Sequence, residues 1–335
     1  MSLKKPRGLF VADDWAYEQT YGEELAAAIG QRLEITAAPI SGEALAGRLE
    51  LLADVEIIMG GWGMRVMDEA FLAAAPKLRA VFLGAGSIKG VVSEAFWERN
   101  ISIVSAYAMN AVPVAEYTLA AIFFSLKHGW RYALGMPREG RYLKKTGVMP
   151  GAFRTTVGII SLGAIGRRVV ELLRAHELRI IAHDPRCTAA QAQALGVELV
   201  SCEELFQRAH VVSLHAPWLP ETEGMITGAH FAAMREGATF INTARGIIVR
   251  EDEMAAVLQA RPDLTAVLDV THPEPPAPES PLLKLPNVVL TPHIAGAMDE
   301  ECRRLGYFLV AELDRHLLGE KSSWLLSREQ MAWMA

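Results

Sequence analysis

The chain has 335 residues, 51% of them hydrophobic, and a formal net charge of −6, so it can bury a large core and is expected to form two domains. The negative charge and the absence of blocks of like charge argue against nucleic acid as a partner. The basic start, Met1–Arg7, runs into a strand-like segment without a signal-peptide apolar region, and the longest uninterrupted apolar stretches are shorter than a membrane span. We therefore expect a cytoplasmic protein with no membrane partner. Cys187, Cys202 and Cys302 are odd in number and widely spaced, which predicts reduced thiols and neither a disulfide framework nor a metal site.

The first third of the chain alternates strands and helices. Ala-rich or amphipathic helical patterns separate five short apolar runs that predict strands: Gly8–Ala12, Leu33–Ala37, Val55–Met59, Ala80–Leu83 and Ile101–Ser105. This alternation predicts a doubly wound parallel layer. Glycine-bearing loops, Gly60–Gly63 and Gly84–Ser87, come after two of these strands. Bare N–H groups beyond strand ends suit a carboxylate, although glycines that only make turns are an equal alternative.

A long apolar helix is predicted over Asn110–Lys127, and it could connect two domains. The irregular stretch Gly129–Gly151 would then be an arm or linker. Further strands are predicted at Val197–Val200, His210–Leu214, Thr239–Asn242, Thr265–Asp269 and Val288–Leu290. The final helical pattern, Met298–Gly319, is expected to return to the first domain.

The most informative stretch is Val157–Gly166, read together with Asp184. A buried strand, a glycine-bearing turn and a helix precede a second strand, Arg179–His183, that ends on Asp184. Such a turn offers free N–H groups and a positive helix end to a pyrophosphate. In such units an acid about 20 residues after the glycine-bearing turn accepts hydrogen bonds from the ribose hydroxyls, and Asp184 lies close to that spacing. The unit therefore predicts a dinucleotide site.

Ser161 and Asp184 bear on how this site would bind a dinucleotide. The usual pattern in such a turn is G-x-G-x-x-G, and Ser161 replaces its first glycine, whereas Gly163 and Gly166 occupy the other two glycine positions. The serine is expected to tighten or shift the phosphate turn. The carboxylate of Asp184 would repel the 2′-phosphate of NADP, so NAD is favoured, although Arg186 could partly offset that repulsion.

Three chemically active side chains come after successive predicted strands of the second half: Arg245, Glu274 and His293. A strand-end guanidinium can hold a carboxylate in a two-pronged pair, although a lone arginine is more often a surface charge. A lone histidine is more often structural, but an imidazole backed by a carboxylate suits acid–base work near neutral pH. Together with a dinucleotide site, the set implies hydride transfer at a carbonyl.

Several motifs occur in an order that resembles the D-isomer-specific 2-hydroxyacid dehydrogenases: Ser161–Gly166, His183–Pro185, His215–Pro217, Asn242–Gly246, Asp269–Val270 with Glu274–Pro275, and Thr291–His293. In addition, Asn110 and Val114–Glu116 resemble the interdomain helix of this family, and Gly84–Gly86 resembles its substrate loop. The resemblance covers nearly the whole chain.

The resemblance implies an α/β fold of two doubly wound parallel-sheet domains with the active site in the cleft between them. A flavodoxin-like substrate domain would comprise residues 1–110 and 297–335. A Rossmann NAD-binding domain would comprise residues 111–296, including the interdomain helix and a dimerisation arm. NAD as the cofactor and a homodimer joined through the NAD-binding domains are also implied.

The family's roles fall on matching positions of this chain. Arg245 would bind the carboxylate and carbonyl oxygens of the substrate, His293 would be the acid and base, and Glu274 would orient His293 and stabilise its imidazolium. The implied substrate-loop contacts come from the N–H groups of Ala85, Gly86 and Ser87. The implied cofactor contacts are Gly163, Ala164, Ile165, Gly166, Asp184, His215, Pro217, Thr222, Thr243, Ala244 and Asp269. Of these, Ala164 and Ile165 would meet the pyrophosphate, Asp269 would face the nicotinamide amide, and His215, Pro217 and Thr222 would line the cofactor cleft.

The substrate side chain and the function class remain open. Trp62 could wall an apolar substrate pocket with Met64, or it could pack without touching substrate. The first hypothesis is an NAD-dependent oxidoreductase that interconverts a 2-oxo acid and its D-2-hydroxy acid. Glyoxylate, hydroxypyruvate or an aromatic 2-oxo acid are the candidate substrates. The alternatives are an NAD(H)-sensing corepressor-like binding protein of the same fold and a formate dehydrogenase.

Overall fold

The computed structural model describes residues 4–334, so residues 1–3 and 335 of the predicted substrate domain lie outside the described residues. The described chain divides into two compact units. Unit 1 runs to Asn110 and resumes over Ala297–Met334, and unit 2 comprises Ala111–Gly296. Unit 1 is therefore built from both ends of the chain.

Unit 1 is a five-stranded parallel sheet in the order β2-β1-β3-β4-β5, a flavodoxin-like order. Its strands are β1 (Arg7–Val11), β2 (Glu34–Ile35), β3 (Ile57–Gly61), β4 (Ala80–Gly84) and β5 (Ser102–Ser105). Its helices are α1 (Asp14–Thr20), α2 (Gly22–Arg32), α3 (Gly42–Ala46), α4 (Glu69–Ala74), α5 (Glu94–Glu98), α13 (Glu300–Leu317) and α14 (Arg328–Met331), with a 3-10 turn at Leu49–Leu52. Along β1, Leu9 and Val11 enter one core and Phe10 enters the core on the opposite face. Apolar residues at every position of a strand are thus explained by helices on both faces of the sheet.

Unit 2 contains a seven-stranded parallel sheet in the order β12-β11-β10-β9-β6-β7-β8. Its strands are β6 (Thr156–Ile160), β7 (Arg179–His183), β8 (Glu198–Leu199), β9 (Val211–Leu214), β10 (Thr239–Asn242), β11 (Thr265–Leu268) and β12 (Val288–Leu290). Its helices are α7 (Gly129–Glu139), α8 (Ala164–Leu173), α9 (Ala189–Leu195), α10 (Cys202–Arg208), α11 (Gly228–Ala232) and α12 (Glu251–Ala260), with 3-10 turns at Gly246–Ile248 and Pro281–Leu283. The strand order reverses between β6 and β9, which is where Rossmann sheets bind dinucleotides.

The predicted fold class, two parallel sheets with helices, is confirmed. The predicted strands at Arg179–His183, Thr239–Asn242 and Val288–Leu290 have the observed bounds. Two strands are much shorter than predicted: Leu33–Ala37 contains only the two residues of β2, and Val197–Val200 contains only the two residues of β8. Each of them pairs with one neighbouring strand over only two residues.

The prediction of an irregular segment over Gly129–Gly151 was wrong in its first half, where α7 forms. Gly135 and Pro137 interrupt the helical pattern in the sequence. The Trp130 indole nevertheless donates to Ser125 Oγ at 3.1 Å and its ring meets Phe124 edge-on. These tertiary contacts stabilise a helix that local propensity does not favour.

Helix α6 (Tyr107–Ser125) begins in unit 1 and continues into unit 2. Within residues 4–334 it is the one helix that is long and apolar enough, by length and composition alone, to cross a membrane. Of its most apolar 18-residue stretch, 44% is buried. The sequence expectation of only short apolar stretches did not anticipate this. The buried Ala115 and Ile122 pack in the core of unit 2 against Val157 and Ile159 of β6, which explains the apolar composition of the helix.

Candidate active site

The turn between β6 and α8 has the geometry of an anion-binding loop. Gly163 is the N-cap of α8 in extended conformation, and no side chain caps the helix. A side chain at Gly166 would place its Cβ 2.0 Å from the Ser161 carbonyl oxygen, so only glycine allows the helix to start this close to the strand. Ser161 itself is left-handed, with φ of 74°, the conformation for which glycine is normally used. Ser161 thus adopts the left-handed conformation of the glycine that it replaces, and Gly163 and Gly166 keep their places in the turn.

Asp184, at the carboxyl end of β7, is bonded to this turn. Its Oδ2 accepts from the Leu162 N–H at 2.7 Å, and its Oδ1 accepts from the Arg186 N–H at 2.8 Å. The carboxylate therefore anchors the turn, a function that the sequence did not reveal. A carboxylate has about four lone-pair sites, so acceptor capacity remains for ribose hydroxyls.

The residues of this turn fit the pyrophosphate of a dinucleotide. In the described chain, the N–H groups of Ala164 and Ile165 have no hydrogen-bond partner, as expected for the first turn of an uncapped helix. The helix N-terminus adds a partial positive charge. Two donors, a positive helix end and a neighbouring carboxylate are the groups that NAD needs on this side.

Several residues predicted to line the cofactor cleft have partners within unit 2. His215 is 7% exposed and hydrogen-bonds Ser213 at 2.9 Å through Nε2, and burial lowers the pKa of His215 to about 3. Thr222 donates to the Pro217 carbonyl at 2.6 Å and accepts from the Leu219 N–H at 2.9 Å. The structure thus gives His215 and Thr222 packing and loop-bracing contacts within unit 2, and their contacts with the cofactor remain predictions.

The loop after β10 holds Arg245. The Asn242 side chain fixes this loop from both directions: its Oδ1 accepts from the Ala244 N–H at 2.9 Å, and its Nδ2 donates to the Arg245 carbonyl at 3.0 Å. Arg245 Nη1 donates to the Ala244 carbonyl at 2.6 Å, which leaves the other donors of the guanidinium available. Burial lowers the pKa of Arg245, and the negative charge of Glu274 partly offsets this effect.

The Arg245 loop lies directly against the loop that carries Glu274. A Cβ on Gly246 would be 2.1 Å from the Thr271 carbonyl carbon and 2.4 Å from the His272 nitrogen. Any side chain at Gly246 would force these two loops apart. The glycine after Arg245 therefore brings the cation close to the acid.

His293 and Glu274 are paired. His293 Nδ1 lies 2.7 Å from Glu274 Oε1, and the two side chains are 47% and 39% exposed. Because the carboxylate accepts the Nδ1 proton, the tautomer leaves Nε2 as the atom that can gain or lose a proton. Nε2 has no hydrogen-bond partner in residues 4–334. The pair thus has the geometry of an oriented acid–base group.

Asp269 lies under the turn that carries His293. It is 2% exposed, and its Oδ1 accepts from the Thr291 hydroxyl at 2.6 Å and the Ile294 N–H at 2.9 Å. Its Oδ2 accepts from the Ala295 N–H at 2.9 Å. These three donors hold the carboxylate in place, and its contact with the nicotinamide amide remains a prediction. Nothing in the sequence around Thr291 indicates this contact with Asp269.

The remaining predicted substrate contacts lie in unit 1. The N–H groups of Gly86 and Ser87 have no hydrogen-bond partner within the described chain. The Ser105 hydroxyl donates a hydrogen bond to the Ala85 carbonyl oxygen at 2.9 Å. Trp62 is half-buried and stacks on Trp15, with ring centroids 5.6 Å apart. Met64, its expected companion in a pocket wall, is 7% exposed and belongs to the core.

Glu251, the first residue of α12, is a further residue that sequence analysis missed. Its carboxylate accepts from the His272 N–H at 2.9 Å, so it braces the loop that leads to Glu274. Burial raises the pKa of Glu251 to about 7, and the neighbouring Asp252 acts in the same direction. The only signal in the sequence was its position shortly after Arg245, at the start of a helix.

Glu251→Gln should change how stability depends on pH. The folded carboxyl binds its proton more tightly than the unfolded chain does, so its contribution to stability is complete below about pH 4.5 and is lost as pH rises through about 7. Glutamine keeps the acceptor for His272 and cannot ionise. Between pH 5 and pH 8 the wild-type free energy of unfolding should therefore fall by about 1 to 2 kcal/mol more than that of the variant, after allowance for solvent screening of a half-buried group.

Urea unfolding at both pH values measures this difference. Glu253→Gln, on the same helix, is the matched control, because hydrogen bonding to Gly228 lowers the pKa of Glu253. Its contribution is therefore constant over this interval and is lost only on acidification. Equal pH dependence in wild type and Glu251→Gln would contradict the assignment.

Sequence comparison places these features among known proteins. Residues 120–295 match the family model of the D-isomer specific 2-hydroxyacid dehydrogenase NAD binding domain. The D-3-phosphoglycerate dehydrogenase of Archaeoglobus fulgidus is 31% identical over 74% of this chain and 47% of its own length. The chain thus spans about half the length of such relatives. The (S)-sulfolactate dehydrogenase of Chromohalobacter salexigens is 33% identical over 78% of this chain and 87% of its own length.

Structural comparison agrees with the sequence match. The TT0316 protein of Thermus thermophilus superposes with a TM-score of 0.76 at 27% identity, covering 96% of this chain and 100% of that one. The matched family model describes an NAD binding domain, and the glycine turn with Asp184 fits this cofactor. The chain therefore belongs to the D-isomer-specific 2-hydroxyacid dehydrogenase family and uses NAD.

Proposed function

We propose that the protein interconverts a 2-oxo acid and a D-2-hydroxy acid with NAD(H). The observation that carries this proposal is the 2.7 Å bond between His293 Nδ1 and Glu274 Oε1, in the unit that also holds Arg245 and the NAD turn. Bound NADH supplies a hydride to the carbonyl carbon, and NAD accepts it in the reverse direction. Membership of the family supports the same reaction class.

Each of the three side chains has a distinct task in this proposal. Arg245 binds the substrate carboxylate through its free guanidinium donors and orients the carbonyl. His293 holds a proton at Nε2 and gives it to the carbonyl oxygen during reduction. Glu274 keeps the imidazole in this tautomer by accepting a hydrogen bond from Nδ1. In oxidation, His293 must start neutral, so the two directions should respond oppositely to pH.

The substrate side chain belongs to the proposal as well. Glyoxylate, hydroxypyruvate and an aromatic 2-oxo acid such as phenylpyruvate are our candidates, while two relatives are named for phosphoglycerate and sulfolactate. Each of the three candidates, and the 2-oxo acids that correspond to phosphoglycerate and sulfolactate, should be tested as a substrate with NADH. The absorbance of NADH measures its oxidation. Binding of NADH without turnover of any of them would favour the corepressor-like alternative.

Substitutions should separate binding from proton transfer. Arg245→Lys keeps the charge and loses the planar fork, so KM should rise about tenfold and kcat should also fall. His293→Ala removes the proton donor, so kcat should fall about 100-fold or more at nearly constant KM. A primary isotope effect with deuterated NADH establishes that hydride transfer limits these rates.

Two neighbouring side chains provide the controls. Arg250→Lys alters an arginine close in sequence whose side chain is bonded to Gly224 and Glu253. His272→Ala alters an exposed histidine of the Glu274 loop whose backbone, not its ring, is bonded to Glu251. Both should retain near wild-type kinetics. Undiminished turnover in His293→Ala would remove His293 from the mechanism.

Asp184 should select NADH over NADPH. Wild type should bind NADH at least about tenfold more tightly, because the carboxylate accepts from ribose hydroxyls and repels a 2′-phosphate. Asp184→Ala should weaken NADH binding more than NADPH binding, and it should also loosen the turn that Asp184 anchors through Leu162. Calorimetric titration measures both affinities without turnover.

Asp263→Ala is the control for a general loss of stability. Asp263 also accepts from a backbone N–H, that of Gly237 at 3.1 Å, but it lies before β11 rather than after a strand. This variant should keep the NADH preference. Equal affinity of wild type for the two cofactors would refute the assigned role of Asp184.

We infer that the protein is a homodimer joined through unit 2. Support comes from four large apolar side chains in or next to the 129–151 arm that are strongly exposed: Leu134 42%, Tyr142 78%, Val148 90% and Phe153 60%. Several large apolar side chains left exposed along one short segment are typical of an interface. Sedimentation should give twice the chain mass of 36.6 kDa.

Val148→Asp with Phe153→Asp should yield a monomer that still binds NADH. Leu318→Asp changes a residue of unit 1 that is 73% exposed, and it should leave the dimer intact. A monomeric wild type at micromolar concentration would refute the dimer.

A further inference from the structure

Three side chains from separate elements of unit 2 form a continuous hydrogen-bonded chain, here called the hydroxyl relay: Tyr117, Thr291 and Asp269. Tyr117 Oη lies 2.9 Å from Thr291 Oγ1, and Thr291 Oγ1 lies 2.6 Å from Asp269 Oδ1. Tyr117 comes from α6, Thr291 lies just after β12, and Asp269 lies just after β11. The relay therefore connects a helix to the ends of two neighbouring strands.

The direction of the relay is set by its donors and acceptors. The Asp269 carboxylate only accepts, and it already accepts from two backbone N–H groups, those of Ile294 and Ala295. Thr291 has one hydroxyl proton, which it gives to Asp269. The Tyr117 hydroxyl must then donate to Thr291. Successive bonds of one direction polarise one another, which strengthens the whole chain.

His293 lies inside the turn that this relay holds. It is left-handed, with φ of 55°, and its N–H bonds to the carbonyls of Asp269 at 2.9 Å and Thr291 at 3.0 Å. A non-glycine residue in this conformation persists only where its surroundings fix it. The fixing groups lie on both sides of it, since Thr291 comes before it and Ile294 and Ala295 come after it, and all three donate to Asp269.

The same turn of α6 also reaches the loop of Arg245. Thr118, the next residue after Tyr117, has its Oγ1 3.3 Å from Thr243 Oγ1. Adjacent residues of one helix therefore contact the two loops that present His293 and Arg245. Such bracing fixes the separation of those loops more firmly than either loop could alone.

We propose that Tyr117 is a positioning residue for His293, acting through Thr291 and Asp269 without touching the imidazole. The inference rests on the proposed function of His293 as the proton donor. Loss of the Tyr117 hydroxyl leaves the Thr291 oxygen with one partner fewer and lets the His293 turn sample other orientations. Small misplacement of a reacting group is costly for the chemical step and has little effect on cofactor binding.

Tyr117→Phe should lower kcat about tenfold, with KM for the 2-oxo acid and the NADH dissociation constant within about twofold of wild type. Tyr107→Phe is the matched control, because Tyr107 is half-buried on the same helix and its ring packs against Trp324 instead of the relay. It should leave kcat unchanged. A purely structural role of Tyr117 would lower stability and the fraction of active enzyme. Because a smaller active fraction also lowers apparent kcat at constant KM, kcat is expressed per NADH-binding site measured by titration, and a purely structural role would leave that value unchanged.

Changes at Thr291 test the relay independently and remain informative if Tyr117→Phe fails to fold. Thr291→Ser keeps the hydroxyl and should retain near wild-type kcat, whereas Thr291→Val should lower kcat at least as much as Tyr117→Phe. The double variant Tyr117→Phe with Thr291→Val should be no slower than Thr291→Val, because the relay is already broken. Multiplied losses, or a Tyr117→Phe enzyme as fast as Tyr107→Phe, would overturn the proposal.

A readout without turnover separates this inference from the proposed reaction. The NMR signal of the His293 ring, assigned by comparison with His293→Ala, should move or broaden in Tyr117→Phe and stay in place in Tyr107→Phe. A wild type that reduces no 2-oxo acid would refute the proposed function and leave this spectroscopic result standing. An unchanged His293 signal in Tyr117→Phe would overturn the relay even in an active enzyme.

Discussion

The buried carboxylate of Asp269 is the constraint on which the geometry around His293 depends. A charge at 2% exposure is costly unless protein donors replace the lost water. The donors that do so are the Thr291 hydroxyl and the N–H groups of Ile294 and Ala295. All belong to one short segment, so the backbone must curve around the carboxylate. The left-handed conformation of His293 is a consequence of solvating this charge with the chain itself.

Glu274 has a comparable influence over two neighbouring side chains, His293 and Arg245. It accepts from His293 Nδ1, and its charge offsets part of the burial that lowers the pKa of Arg245. This double effect is possible because Gly246 allows the loop of Arg245 to lie against residues 271 and 272. Arg245, Glu274 and His293 are thus held in the loops that follow three adjacent strands, β10, β11 and β12. Removal of Glu274 should therefore disturb substrate binding as well as proton transfer.

The sequence predicts the features that chain order determines and fails where tertiary packing decides. Because β10, β11 and β12 are neighbours in a parallel sheet, residues just after them must meet at one edge, and the pairing of His293 with Glu274 is accessible to such reasoning. Tyr117 and Glu251 are not, since their partners depend on how α6 and α12 rotate against the sheet. Helix α7 was missed for the same reason: the contacts of Trp130 outweigh a glycine and a proline in its sequence. The sequence predicts that Asp184 binds the ribose, but its hydrogen bond from the Leu162 N–H depends on tertiary geometry.

Ser161 has a consequence for the thermodynamics of cofactor binding. A left-handed serine costs of the order of 1 kcal/mol relative to an unstrained residue, but it has fewer accessible backbone states than the glycine that is usual at this position. We therefore expect the phosphate turn, which the hydrogen bond from the Leu162 N–H to Asp184 closes, to be ordered before a dinucleotide binds. Less conformational entropy is then lost on association. The strain is carried by the free protein, so NAD meets a rigid receptor and not a flexible loop that must be ordered around it.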